Sequence, residues 1–263
     1  MGGCCSSGPV PVDLPSIPQD IIQLLETTSP KIVNDLLEVM VKSFTGTTKV
    51  PGEPMLSWAF DPDGNVDGDP CNPLKEEPSA ERLATMRFVI KYCYYHLLKH
   101  GCCFALMKNG SPVGGVFMCP PNSKGAHEES NCYFMWAMMN LGMTSSISSG
   151  DSAMRFDAMD KACKAAHKKC LDGKNDPHWF VNVVGMDSEY QGQGYGRELF
   201  NFILSCGDHT GHKMYLDTFG PRNQRFYEKN GFEVKDVSKV NSKKLELTVH
   251  GGGALGMLRA AKK

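Results

Sequence analysis

The chain of 263 residues is 41% hydrophobic and 22% charged, which is an ordinary composition for a globular protein. Its formal net charge of −1 lacks the basic excess typical of nucleic-acid-binding proteins, so no nucleic-acid partner is expected. The 11 cysteines show no C-x-x-C spacing, which favours reduced thiols over a disulfide framework or a zinc site, and no bound metal is expected. No apolar run approaches the roughly 18 residues that a membrane-spanning helix requires.

The first six residues match the N-myristoylation pattern M-G-x-x-x-[ST], with Gly2 as the acceptor after removal of the initiator methionine. A single myristoyl chain holds a protein to a membrane only marginally, so stable anchoring requires a second signal. Cys4 and Cys5 supply one through S-palmitoylation, whereas residues 1–30 contain no Lys or Arg for a basic patch. We therefore expect residues 1–20 to form an acylated flexible tether at the cytoplasmic face of a membrane. The alternative is a chance match in a flexible leader of a cytoplasmic protein.

Amphipathic segments and one long polar segment make up the first hundred residues. Residues 21–26 form either a strand or a helical turn, and the pattern leaves both open. Helical spacing of apolar residues after a Ser-Pro start predicts a helix over residues 30–44. Residues 45–78 are rich in Gly, Pro and Asp, which predicts a long loop that covers a substrate site. A serine N-cap at the start and a glycine at the end then delimit a helix over residues 79–101.

Strands and helices alternate through the rest of the chain. Two apolar runs within residues 102–119 flank Asn109-Gly110, a pair typical of two-residue β-hairpin turns. Residues 133–171 are predicted to be helical with a polar break at 144–151, and the apolar run at 179–186 predicts a strand buried on both faces. The remaining predicted elements are a helix at 197–205, a strand at 214–219 and two closing strands around 251–253. This order predicts an α/β fold with a mixed sheet.

The most informative segment is the glycine loop, residues 191–197, which lies between the apolar strand and a helix. Its glycines leave the backbone uncovered, so successive N–H groups can converge on one point. The helix start adds a partial positive charge, and the loop therefore predicts a site for an anionic, phosphate-bearing ligand. A P-loop is excluded because Arg197 and Glu198 replace its Lys-Ser/Thr pair, and a G-x-G-x-x-G dinucleotide fingerprint lacks its third glycine.

Two motifs together indicate a family. The pattern Q-x-x-G-x-G, carried by Gln191, Gly194 and Gly196, resembles motif A of the GNAT superfamily of N-acetyltransferases, whose loop holds the pyrophosphate of acetyl-CoA. Residues 213–234, KMYLDTFGPRNQRFYEKNGFEV, resemble GNAT motif B in the P-R-N-x-x-F-Y-E-x-x-G-F variety of the puromycin N-acetyltransferase-like branch. The resemblance covers about residues 80–262 and is sharp only over 178–234.

The resemblance implies that residues 21–263 form one GNAT acetyltransferase domain with acetyl-CoA as cosubstrate. Its expected fold is α/β, with a mixed, mostly antiparallel central sheet flanked by helices and splayed strands at the cofactor site. Val184 and Met186 are expected to hydrogen-bond the pantetheine arm, with Gly185 allowing close approach, and the Met186 N–H to donate to the thioester oxygen. The residues expected to wrap the pyrophosphate are Gln191, Gly192, Gln193, Gly194, Tyr195, Gly196 and Arg197. A plain sheet amide at Met186 is the alternative.

Motif B supplies the expected catalytic tyrosine. Tyr227 occupies the position of the family's general acid, which protonates the departing CoA thiolate, although a packing aromatic is the alternative. Asn223 and Phe226 are assigned to the cofactor site, and a helix N-cap role explains Asn223 nearly as well.

The general base is less clearly indicated. Many relatives carry a glutamate on the strand before the glycine loop, and residues 179–186 contain no carboxylate. Asp217 on the next strand is therefore ranked first, ahead of His178 and Asp187, while a structural hydrogen bond explains Asp217 at least as well. Deprotonation through a chain of water molecules needs no single side chain.

These residues lead to one functional hypothesis with two alternatives. The chain is expected to be a membrane-tethered N-acetyltransferase that acetylates a primary amine, more readily that of a small molecule, as the likeness to the puromycin-type branch implies. One alternative is a protein lysine or N-terminal acetyltransferase, since a fold does not determine its substrate. The other is a non-catalytic, membrane-localised acyl-CoA sensor or adaptor, which the missing strand carboxylate favours and the presence of Tyr227 opposes.

Overall fold

The computed structural model describes residues 12–60, 71–123, 131–148, 150–171, 176–240 and 253–262. The strands in these ranges are β1 (Ile21–Leu24), β2 (Cys102–Lys108), β3 (Ser111–Cys119), β4 (His178–Met186), β5 (Lys213–Thr218), β6 (Glu233–Lys239) and β7 (Gly253–Arg259). They form one sheet in the order β1-β2-β3-β4-β5-β7-β6. Only the β4–β5 pair is parallel within the described sheet, so the predicted mixed, mostly antiparallel architecture is confirmed.

Helices cover both faces of the sheet. Those of the described ranges are α1 (Pro30–Thr45), α2 (Pro54–Ala59), α3 (Ala80–His100), α4 (Asn131–Asn140), α5 (Ser145–Ser148), α6 (Gly150–Cys170), α7 (Tyr195–Thr210) and α8 (Pro221–Lys229). Alternate β2 residues point to opposite layers. Phe104 belongs to the core shared with α7, and Cys103 to the core shared with α1 and α3. None of these helices combines the length and hydropathy of a transmembrane span.

Several local predictions are confirmed at the level of single residues. The hydroxyl of Ser79 accepts a hydrogen bond from the Arg82 N–H at 3.1 Å, as an N-cap does. Asn109 and Gly110 adopt φ values of 50° and 79°, which the type I′ hairpin turn between β2 and β3 requires. Residues 21–24, whose pattern left two possibilities open, form a strand that pairs with β2.

The predicted loop over residues 45–78 is wrong in one respect, because it contains helix α2. Pro54 occupies the first helical turn, where its missing N–H costs nothing, and the Glu53 carboxylate caps the helix by accepting the Leu56 N–H at 2.6 Å. Burial of Met55 and Ala59 holds the short helix in place. The Gly- and Pro-rich composition around it concealed this helix.

Other element boundaries also differ from the prediction. The polar break predicted at 144–151 contains α5 and the first residues of α6, and α7 is longer than predicted at both ends. Strand β4 is not buried on both faces. Trp179, Val181 and Val183 are buried, but Asn182 between them is exposed and Val184 is half-buried. The exposed side borders a cavity, which explains why an apolar strand alternates in exposure.

The splay predicted between two central strands is present. Strands β4 and β5 pair only where His178–Phe180 lies beside Lys213–Tyr215, although β4 continues to Met186 and β5 to Thr218. Beyond this point the strands diverge, and the edge of β4 that faces β5 has no strand partner among the described residues. The opening leaves backbone donors and acceptors available to a ligand.

Candidate functional site

Two adjoining cavities open where β4 and β5 diverge. The loop cavity, of about 950 Å³, is bordered by the glycine loop and the start of α7. The acidic cavity, of about 630 Å³, lies between α2, α3, α6 and β5. The residues that line both cavities are Phe44, Glu53, Val184, Phe219, Asn223 and Tyr227. A molecule in one cavity can therefore meet a molecule in the other.

The loop cavity brings together nearly all the residues predicted to bind the cofactor. Those that line it are Val184, Gly185, Met186, Gln191, Gly192, Gln193, Gly194, Gly196, Arg197, Asn223 and Phe226. Tyr195 is the exception among the predicted residues. Its ring packs 6.0 Å from that of Tyr190 and lies 5.0 Å from the Lys108 ammonium. The Tyr195 side chain thus anchors the start of α7 and does not face the cavity.

The glycines of the loop are required by backbone conformation. Gly192 and Gly194 have φ values of 78° and 93°, in the left-handed region that side chains disfavour. A Cβ at either position would meet nothing within 4 Å, so packing does not explain them. Gly194 is the N-cap of α7, and no side chain caps that helix. The N-terminus of a helix with an uncapped first turn is an anion-binding site.

Cationic side chains strengthen this preference for an anion. Arg197, Arg222 and Arg225 line the loop cavity. Among the described lining residues, Glu53 is the single carboxylate that opposes these three positive charges. The Arg222 guanidinium donates to Gln191 Oε1 at 2.7 Å, which joins α8 to the glycine loop. Three guanidinium groups and a helix N-terminus together match the charge of a diphosphate.

The open edge of β4 carries the amide that the sequence predicted as a thioester donor. The Asp187 N–H donates to Val113 O on the β3 side at 2.9 Å, whereas the Met186 N–H donates to Ser43 Oγ of α1 at 3.2 Å. Because backbone donors alternate between the two edges of a strand, Val184 also presents its amide to the opening. The Ser43 hydroxyl therefore occupies the place where a carbonyl oxygen of a ligand can accept a hydrogen bond from the Met186 N–H.

The acidic cavity has the opposite charge. Its carboxylates come from Glu53, Asp157, Asp160 and Asp217, and no Lys, Arg or His is among its described lining residues. Asp157 and Asp160 form surface ion pairs with lysines one helical turn farther along α6. The remaining walls are largely apolar and include the aromatic rings of Phe44, Phe60, Phe88, Tyr92, Phe156, Phe219 and Tyr227. This cavity suits a small cation with an apolar body.

Glu53 is the functional candidate that sequence reasoning missed. Burial, with a smaller contribution from the nearby Asp217, raises the pKa of Glu53 to about 7, although hydrogen bonds from the backbone of Leu56 and Met55 oppose the shift. A carboxyl group with this pKa exchanges a proton readily at neutral pH. The signal available in the sequence was Glu53-Pro54 before a short apolar segment, a helix start hidden inside a predicted loop.

Asp217 and Tyr227 lie close to Glu53 and are perturbed by the same environment. Burial raises the pKa of Asp217 to about 6, while the nearby Cys163 thiol opposes the shift. Burial raises the pKa of Tyr227 well above its usual value, and Glu53 and Asp217 add to this effect. Tyr227 is therefore a protonated phenol at neutral pH and can act as an acid.

Three lesser predictions are not supported by the geometry. His178 is not among the residues that line either cavity. Its Nε2 atom instead lies 3.0 Å from Nε2 of His167. Asp187 accepts the Glu189 N–H at 3.0 Å and so caps a short turn before the glycine loop. Asn223 is the third residue of α8, whose N-cap is Gly220, so the capping role considered for Asn223 is wrong. No cluster of three metal-ligating side chains occurs within the described ranges.

Comparison with known proteins agrees with this geometry. Residues 161–234, which run from α6 to β6, match the acetyltransferase (GNAT) domain family. Over 62 residues the chain is 36% identical to an uncharacterized N-acetyltransferase of Schizosaccharomyces pombe, and this match spans 24% of the chain and 25% of that protein. The family match thus covers the part of the chain from α6 to β6, and the chain matches this curated relative over about a quarter of that protein's length.

Two solved structures are similar to this chain at low sequence identity. Arylalkylamine N-acetyltransferase 2 from Aedes aegypti superposes with a TM-score of 0.54 and 16% identity, over 93% of this chain and 100% of that one. Polyamine N-acetyltransferase from Drosophila melanogaster gives a TM-score of 0.49 and 13% identity, over 92% and 100%. The first of these likenesses shows the GNAT fold.

Proposed function

We propose that this chain, whose residues 161–234 match the GNAT acetyltransferase domain family, transfers the acetyl group of acetyl-CoA to a small cationic primary amine. The observation that carries the proposal is the meeting of two cavities of opposite charge. The loop cavity is lined by three arginines and a helix N-terminus, and the acidic cavity by four carboxylates. Glu53 and Tyr227, an acceptor and a donor of protons, lie where the cavities join.

The loop cavity fits the cofactor. The diphosphate of acetyl-CoA would lie against the backbone of residues 191–197, with Arg197 and Arg222 neutralising its charge. The pantetheine arm would run along the open edge of β4, where Val184 and Met186 offer backbone groups. When Ser43 releases the Met186 N–H, this amide can donate to the thioester oxygen as the oxygen gains negative charge.

The acidic cavity fits the acceptor. A primary amine is mostly an ammonium ion at neutral pH, and the half-buried Asp217 carboxylate attracts that charge. The amine must then lose a proton before its nitrogen can attack. Glu53 is suited to accept that proton, because its pKa of about 7 leaves it substantially ionised at neutral pH. Glu53 therefore takes the role of base first predicted for Asp217, and Asp217 binds the ammonium.

The chemical step forms one bond and breaks one. The neutral amine nitrogen attacks the thioester carbonyl carbon, a C–N bond forms, and the C–S bond to CoA breaks as the tetrahedral intermediate collapses. Tyr227 donates its phenolic proton to the departing thiolate. The proton released from the attacking nitrogen passes to a carboxylate of the acidic cavity, and the Tyr227 phenolate, whose pKa is raised, takes up a proton before the next turnover. Neither the attack on the carbonyl carbon nor the collapse of the intermediate requires a metal ion.

A direct assay tests the proposal. The purified protein is incubated with acetyl-CoA and a panel of primary amines that carry apolar or aromatic bodies, and CoA release and N-acetyl products are measured. We expect turnover of cationic amines and none of matched compounds that also carry a carboxylate. Binding of acetyl-CoA in calorimetry without turnover of any amine would contradict the enzyme and favour the acyl-CoA sensor. Acetylation of peptides alone would favour a protein acceptor.

The membrane tether is a separate part of the proposal. Gly2, Cys4 and Cys5 lie outside the described residues, so its support is the acylation pattern alone. Mass spectrometry of the intact protein from a eukaryotic host tests it, together with the Gly2→Ala variant. We expect the wild-type protein to carry acyl groups and sediment with membranes, and the variant to lose both properties. An unmodified Gly2 would contradict the tether and leave the enzyme proposal intact.

Small acceptors are favoured by three further features. The acidic cavity of about 630 Å³ is of the size that encloses small molecules, and α2, α3 and α6 wall it off. The likeness of residues 221–232 to the puromycin-type branch points in the same direction. Arylalkylamine N-acetyltransferase 2, which shares the fold, is named for a small amine.

A further inference from the structure

The last turn of α1 reaches the open edge of β4 through one hydroxyl group. The Met186 N–H donates to Ser43 Oγ at 3.2 Å, although the two residues are 143 positions apart in the sequence. A serine inside a helix commonly turns to solvent or bonds to the carbonyl four residues earlier. The Ser43 side chain instead accepts from an amide at the wall of the loop cavity, which both residues line.

The close approach of α1 to β4 is a packed contact. Gly185 is not among the glycines with positive φ, so backbone conformation does not explain it. A Cβ at this position would lie 3.0 Å from Met40 Sδ and 3.1 Å from Ser43 Oγ, which is closer than ordinary van der Waals contact. Met40 and Val183 also belong to one buried cluster. The packing of a helix on a strand therefore holds Ser43 at this edge.

The segment that follows Ser43 also positions the proposed base. Phe44 O accepts the Glu53 N–H at 2.9 Å, which joins the end of α1 to the start of α2. Phe44 and Glu53 line both cavities, so this hydrogen bond lies where the cavities join. The Ser43 hydroxyl is thus attached to the backbone that carries the base, at the place where the acetyl group must meet the amine.

The Ser43 hydroxyl has a proton that it does not use within the described part of the chain. A hydroxyl group is both an acceptor and a donor, and none of the described residues accepts a hydrogen bond from Ser43. The Met186 nitrogen and Ser43 Oγ are only 3.2 Å apart. A carbonyl oxygen that takes over the Met186 N–H would therefore also lie within reach of the hydroxyl.

We infer that Ser43 is a catalytic residue of the proposed acetyl transfer, whose hydroxyl gives up the Met186 N–H and donates to the thioester oxygen beside that amide. The inference rests on the proposed function for its substrate and on the contact between α1 and β4 for its geometry. Rotation about the single side-chain torsion of serine suffices to turn an acceptor into a donor. Two donors then stabilise the negative charge that this oxygen gains in the tetrahedral intermediate. The hydroxyl keeps its proton throughout.

Substitutions separate this donor from an acceptor that only satisfies the amide of the free protein. Ser43→Ala removes the hydroxyl, and Ser43→Thr keeps it. Ser205→Ala is the matched control, because it removes a half-buried hydroxyl of α7 that donates to Phe202 O and is not among the lining residues of either cavity. We expect Ser43→Ala to lower kcat by about 10², as the loss of one oxyanion donor does, with little change in the KM for the amine. Ser43→Thr should keep most of kcat and Ser205→Ala all of it.

Infrared spectroscopy of bound acetyl-CoA tests the donor without turnover. Acetyl-CoA labelled with ¹³C at the thioester carbonyl is bound to each variant in the absence of amine, and its carbonyl stretch is compared with that of the free compound. Each hydrogen bond to the oxygen lowers this frequency. We therefore expect a larger downward shift in the wild type and Ser43→Thr than in Ser43→Ala. Ser43→Cys, which has a weaker donor, should fall between them.

The combined results distinguish failure of this inference from failure of the proposed function. Wild-type turnover with the same carbonyl shift in Ser43→Ala, or an unchanged kcat in that variant, would refute the role of Ser43 alone. Tighter binding of acetyl-CoA by Ser43→Ala in calorimetry at unchanged kcat would show that the hydroxyl only occupies the amide. Absence of acetyl-CoA binding to the wild type, or of turnover with every amine, would instead refute the proposed function.

Discussion

Asp217→Asn should make the free protein more stable and the enzyme less effective. Burial, with a contribution from the nearby Asp160 carboxylate, raises the Asp217 pKa to about 6 from its usual value of 3.8, so the ionised form destabilises the folded state. This difference corresponds to about 3 kcal/mol at the most, and we expect on the order of 2 kcal/mol because the side chain is half-buried. Asparagine keeps the shape of the side chain and never bears the charge.

The sign of this effect sets its pH dependence. A carboxyl whose pKa is raised by folding contributes stability below its unfolded pKa, and this contribution is lost as the pH rises through about 6. The gain in free energy of unfolding for Asp217→Asn should therefore be small near pH 4 and complete by pH 8. For a chain of this size it corresponds to a rise in Tm of roughly 4–8 °C at pH 8.

Thermal unfolding and steady-state kinetics test both halves of this prediction. At pH 8, kcat/KM for the amine should fall about 30- to 100-fold, since a buried charge pair with the ammonium is lost, while the KM for acetyl-CoA should not change. Asp151→Asn, an exposed substitution at the start of α6, is the control and should leave the pH dependence of Tm unaltered. A variant that gains no stability at pH 8, or gains equally at pH 4.5, would refute the reasoning, as would an unchanged kcat/KM.

Three further substitutions probe the base, the acid and the cofactor loop. Glu53→Gln should lower kcat by about 10² or more and abolish the rise of kcat through pH 7, which a pH–rate profile would show; a retained rise would exclude Glu53 as the base. Tyr227→Phe should lower kcat by about 10² with little change in the KM for acetyl-CoA, and an unchanged kcat in steady-state assays would remove it from the mechanism. Gly194→Ala should weaken CoA binding in calorimetry by about tenfold or more, because its φ of 93° disfavours a Cβ in the loop. Gly110→Ala, with a φ of 79° in a hairpin turn and open space around it, is the matched control that should lose stability and keep its affinity for CoA.

The sequence by itself determined the features encoded by a few neighbouring residues. The turn at Asn109-Gly110 follows from residues that tolerate positive φ, and the glycine loop follows from the same property at Gly192 and Gly194. The resemblance of residues 213–234 to GNAT motif B pointed to Tyr227, because the strand, turn and helix of that motif are all local. The alternation of strands and helices after the hairpin likewise indicated the fold class.

Only the tertiary structure decided which groups meet at the site. Glu53 and Asp217 belong to distant parts of the chain, and each carboxyl is perturbed by burial that no local pattern encodes. The apolar composition of β4 predicted two buried faces. Asn182 is nevertheless exposed, because β5 diverges from β4 before this residue. The contrast in charge between the cavities also arises from side chains on many elements. The charge and burial of a site depend on residues that are far apart in the sequence, and only folding brings those residues together.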